Sequence, residues 1–202
     1  MSTLSEKALM ADPAPLGLAG FAFTTFLLSF TNAGWIPAAS VGVVLPLAMA
    51  YGGLCQFLAG AFEMRKGNTF GFTAFCSYGA FWIFFALMVL LGGAGLIQTP
   101  AAGIGAALVL WGIFTLYMWV SAMTANASLG FTFMFLWITF FVLGGGALTG
   151  ISILTKAGGY LGIITAIFAA YTSFAIVTNS VVGAGTMPLG RGISWKKAPR
   201  AN

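Results

Sequence analysis

The sequence contains no histidine, two cysteines and only three acidic residues among 202. The missing imidazole, with Cys55 and Cys76 both inside apolar stretches, leaves no zinc-ligand set, no disulfide framework and no Cys/His nucleophile pair. Both cysteines read as small packing residues. Charge of either sign is scarce, 5% of residues against about 25% in a soluble domain. Such a surface does not face water. What is abundant is apolar: 60% hydrophobic residues, 28 glycines, 20 phenylalanines and a mean hydropathy of +1.01. The fold class expected is an all-α integral membrane protein. The net charge of +5 is no nucleic-acid footprint, because the basic residues stand at the ends of apolar blocks. The first seven residues are mostly polar and do not read as a secretory leader.

A membrane-spanning helix needs about 20 mostly apolar residues. Six blocks of that kind run 16–31, 38–62, 70–92, 102–124, 129–150 and 159–182, separated by Gly, Pro, Asn and Lys. They define a six-helix domain over 16–182, with an N-terminal tail over 1–15 and a basic tail over 183–202. Pro15 suits the first turn of a helix. Pro46 followed by Gly52 and Gly53 predicts a kink or unwound stretch in the second span. Six spans collect Lys7, Arg65, Lys66, Arg191, Lys196, Lys197 and Arg200 on one side and leave only Lys156 on the other. The positive-inside rule then places both termini in the cytoplasm. The last four of these form a tail suited to anionic lipid.

Gly67/Gly71, Gly146/Gly150 and Gly158/Gly162 are small-xxx-small pairs that favour close helix approach. Trp35, Trp111 and Trp195 fall near block ends, where indoles anchor helices at the interface. Gly-Phe begins related stretches at Gly20, Gly71 and Gly130, which would set the odd-numbered spans equivalently around one axis.

No charged residue falls near a predicted span centre. Glu63 comes closest; beside Arg65 and Lys66 it reads as an ion pair at a helix end, or as the sole candidate for a protonatable coupling group. The polar residues inside the spans are neutral: Thr24, Thr25 and Asn32 in the first, Gln56 in the second, Thr73, Ser77 and Tyr78 in the third, Thr139 in the fifth and Asn179 in the sixth. Thr73 and Ser77 share a helix face, and with Asn68 before them they read as the lining of a pore. Membrane hydroxyls also bond back to their own helix carbonyls, so each has a structural reading beside the functional one. Hydroxyls, amides and aromatic rings suit a small neutral or singly charged solute better than a bare metal cation. Without histidine or a central carboxylate, a hydrolase lacks its general base.

"DPAPLGLAGFAFTTFLLSFTNAG" (Asp12–Gly34), "YGGLCQFLAGAFEMRKGNTFGFTAFCSYGAFW" (Tyr51–Trp82) and "LWGIFTLYMW" (Leu110–Trp119) resemble the acetate uptake transporter family, the succinate–acetate permeases. The family's motif usually begins with Asn, where this chain has Asp12. The resemblance implies no enzyme and no cofactor, but a homohexamer in the plasma membrane with one pore per protomer. The implied solute is acetate or a similar monocarboxylate, with succinate carried in some members. It further implies a hydrophobic collar that falls on Phe21, Tyr78 and Leu136. Asp12 would cap a helix entrance as Asn does, its charge offset by Lys7. A urea or short-amide channel is the alternative reading.

Overall fold

Six spans are built from stretches that satisfy every backbone group internally, as a lipid environment demands. The computed structural model describes residues 10–194 and contains, among them, only helices and the turns between them. The helices are α1 (Ala14–Ala33), α2 (Ala38–Lys66), α3 (Thr69–Gly93), α4 (Ala101–Ala125), α5 (Ala127–Thr149) and α6 (Ser152–Val182). All six are long and apolar enough to cross a membrane. Each packs on its neighbours in chain order, and α6 returns to α1, so the spans form a ring in which odd and even helices alternate. The contact of α3 with α4 is the slightest in that ring. Outward faces carry exposed Val43, Leu110 and Val181, side chains that a bilayer accepts.

Local chemistry sets the breaks. Asn68 and Asn126 cap α3 and α5, their Oδ1 atoms accepting from Gly71 N at 3.1 Å and Leu129 N at 2.8 Å. Gly67 and Gly150 end helices at φ +77° and +72°. They are caps rather than packing residues, which corrects two of the glycine pairs expected from spacing. Gly158 and Gly162 do pack: added Cβ atoms would strike Leu143 and the Ser29 hydroxyl, respectively. Downstream of Pro46, whose missing N–H breaks the ladder, Ala48–Cys55 is π-helical.

The sixth span begins seven residues before the expected 159. Lys156 is exposed near the helix start, a position from which a long lysine stem can carry its ammonium to the interface. Trp111 is no interface anchor; its ring packs 5.3 Å from Phe81 and 5.4 Å from Phe114. Trp35 is 57% exposed and its indole N–H donates to Tyr160. The expected C-terminal tail is partly docked: Ser128 N donates to Leu189 O at 3.0 Å and Ile193 N to Met123 O at 2.8 Å. Lys7, Trp195, Lys196, Lys197 and Arg200 lie outside the described residues.

Candidate functional site

Two cavities lie inside the ring. The first, about 330 Å³, opens toward the end where α1 starts and α6 finishes, and all six spans contribute to its wall. Its polar lining includes Gln56, Glu63, Lys66, Asn68 and Thr132. The second, about 230 Å³, lies toward the opposite end and is walled chiefly by Phe81, Trp82, Trp111 and Phe140, with Thr25, Asn32 and Thr139 among them. Phe21 and Leu136 belong to both walls. Tyr78 lines the first, and its ring centroid is 5.6 Å from that of Phe21. All three are buried and stand on α1, α3 and α5, the alternate members of the ring. Each lies about 10 to 14 Å from the start of its helix at about 1.5 Å per residue.

Tyr78 is held at its hydroxyl from outside the cavities. Its hydroxyl donates to Thr115 Oγ1 at 2.9 Å, and Thr115 in turn donates to Trp111 O at 2.7 Å. Phe114 and Phe133 pack edge-on to its ring at 5.5 and 5.9 Å. The phenol oxygen is thereby tied to α4, so the apolar ring is what remains beside Phe21.

Glu63 is wholly buried, unlike a solvated pair at a helix end. Its Oε2 accepts from Asn68 Nδ2 at 2.6 Å, while Oε1 has no hydrogen-bond partner and lies 3.8 Å from Lys66 Nζ. Lys66 lies closer to Asp12, at 2.9 Å, and Asp12 also accepts from Ala14 N. Lys66 therefore neutralises Asp12, and Asp12 satisfies a first-turn N–H of α1. Gln56, 1% exposed, has an unpartnered Oε1 in the first cavity wall.

Thr24, Thr73, Ser77 and Asn179 line neither cavity. Thr24 donates to Gly20 O and packs beside Gly52; Thr25 and Thr139 likewise donate within their helices, although both line the second cavity. Ser77 is one residue, about 100°, from Tyr78 on the helix wheel, and Thr73 about 140°. With Tyr78 inward, both turn away, and Ala74 takes the inward place one turn before it. Asn179 clamps the C-terminal segment, its amide donating to Met187 O at 2.9 Å and its Oδ1 accepting from Met187 N at 2.7 Å. Sequence reasoning missed Trp82, which the i, i+4 spacing from Tyr78 would have found.

A model described as the GPR1/FUN34/yaaH family matches residues 2–190. The succinate-acetate/proton symporter SatP of Escherichia coli K12 is 39% identical, over 90% of this chain and 96% of its own. Acetate permease A of Emericella nidulans is 37% identical, over 97% of this chain and 71% of its own. A solved structure titled the bacterial acetate channel SatP superposes with a TM-score of 0.86 at 38% identity, covering 90% of this chain and 99% of that one.

Proposed function

This chain belongs to the GPR1/FUN34/yaaH family, and we propose that it carries acetate and similar small monocarboxylates across the cell membrane, one pore per protomer of a homohexamer, both termini in the cytoplasm. The observation that carries the reading is the pair of cavities whose walls share Phe21 and Leu136. Those two side chains and the Tyr78 ring form the collar. A hydrated metal ion loses its shell at such a collar without replacement ligands. A solute that is half methyl loses far less. The amides of Gln56, Asn68 and Asn32 give the carboxyl group polar partners before and after the collar, and Glu63 carries the coupled proton. Succinate is the larger solute to test beside acetate.

One observation favours a second reading, urea or a short amide. The orphaned Gln56 Oε1 needs a donor, which an amide offers and acetate lacks. Purified protein in liposomes separates the two. Labelled acetate uptake blocked by excess propionate and indifferent to urea is expected. No acetate uptake, under either an imposed pH gradient or an imposed voltage, overturns the acetate reading.

A further inference from the structure

Trp82 lines the second cavity at 2% exposure, and its Nε1–H has no hydrogen-bond partner. It sits one turn beyond Tyr78 on α3 and packs edge-on against Phe81 at 5.4 Å and Phe85 at 5.9 Å. Gly52 gives the indole its seat, since a Cβ there would lie 2.8 Å from the ring's Cγ. The neighbouring hydroxyl, Thr24, accepts nothing from the indole and donates to Gly20 O. Thr25 and Thr139 in the cavity wall do the same with Phe21 O and Phe135 O. A buried indole N–H ordinarily finds an acceptor, and an orphaned one carries a desolvation cost. Thr25 and Thr139 have thus already donated their hydrogens, whereas Trp82 lines the same cavity with its hydrogen undonated.

We propose that Trp82 is the carboxyl-recognising donor of the second cavity, bonding a solute oxygen as it leaves or approaches the collar and thereby setting affinity for small carboxylates. This deepens the acetate reading and rests on it. An indole N–H is a donor with no acceptor capacity. It favours carboxylate over a cation and needs no buried positive charge. Trp137 supplies an internal control: its Nε1 is also buried and unpartnered, yet Trp137 lines neither cavity.

The test joins kinetics to a direct signal. In liposomes, Trp82→Phe should raise the half-saturating acetate concentration about tenfold, the scale of a hydrogen bond to a charged group, while Trp137→Phe leaves it unchanged. Replacing Trp82 with a benzothiophene analogue keeps the ring's shape, removes the N–H and should reproduce the loss. In protein carrying ¹⁵N-indole tryptophan, the Trp82 N–H resonance should move downfield on acetate titration and the Trp137 resonance should stay. Full affinity in the benzothiophene variant overturns the proposal, as does an unmoved Trp82 signal. If wild-type protein takes up no acetate, the transport reading has failed instead. Titration with propionate and then urea then decides this inference separately, and no Trp82 shift with either overturns it too.

Discussion

The two cavities are built from different chemistry although the same ring of helices encloses both. The first gathers two carboxylates, an ammonium and three amides, from Asp12, Glu63, Lys66, Asn68, Asn126 and Gln56. The second is mostly apolar, with two of its hydroxyls tied to their own helices. Glu63, Lys66 and Asn68 come from the end of α2 and the start of α3, where Gly67 turns the chain and Asn68 bonds both Glu63 and the α3 backbone, and Gln56 comes from the body of α2. The second reaches the opposite helix ends at Asn32, Ala147 and Thr155, yet no charged side chain lines it. The first cavity has charge available; the second works with dipoles and indole N–H groups.

Merging the cavities gives the largest expected effect. Phe21→Ala combined with Tyr78→Ala removes two rings of the collar, and flux of butyrate relative to acetate in liposomes should rise about tenfold or more, the equivalent of about 1.4 kcal/mol. Unchanged relative flux would mean that the division lies elsewhere, Leu136 being next to test. A smaller change sharpens the contrast from the polar side. Glu63→Gln keeps an oxygen for Asn68 Nδ2 but removes the carboxylate. Accumulation of acetate driven by an acid-outside pH gradient should be lost while exchange of labelled acetate at equilibrium persists. Wild-type accumulation in this variant would remove Glu63 from coupling.

The number of spans was readable because twenty-residue apolar runs leave few alternatives. The break in α2 was readable from Pro46 and its following glycines. Other features depend on which way a helix is turned. Thr73 and Ser77 share a face, but periodicity does not say whether that face is inside, and the large ring of Tyr78 takes the interior. Lys156 reads as a break because a charge interrupts a run, whereas its reach lets the helix pass beneath it. Glu63 reads as a helix-end ion pair from its basic neighbours, and Lys66 does lie 3.8 Å away, but Gly71 packs against its side chain from α3 and it is fully buried. Asn179 looked like pore lining because nothing in the span shows that residues 187–189 fold back onto the helix ends. Long-range return of a chain leaves no periodic trace.

The smallest expected effect tests how much of Tyr78 belongs to the collar. The α3–α4 contact is the slightest of the ring, and the Tyr78–Thr115 hydrogen bond crosses it. Tyr78→Phe removes that bond but keeps the ring beside Phe21. Thr115 still donates to Trp111 O, so the variant leaves no buried donor stranded, and the cost should be about 0.5–1.5 kcal/mol. Thermal unfolding in detergent should show a fall of about 2–4 °C per kcal/mol for a chain this size, with the butyrate-to-acetate ratio unchanged. A shifted ratio would mean that the hydroxyl leaves Thr115 to meet the solute. The boundary between the cavities would then have a polar edge, and its selectivity would come from hydrogen bonding as well as from dehydration.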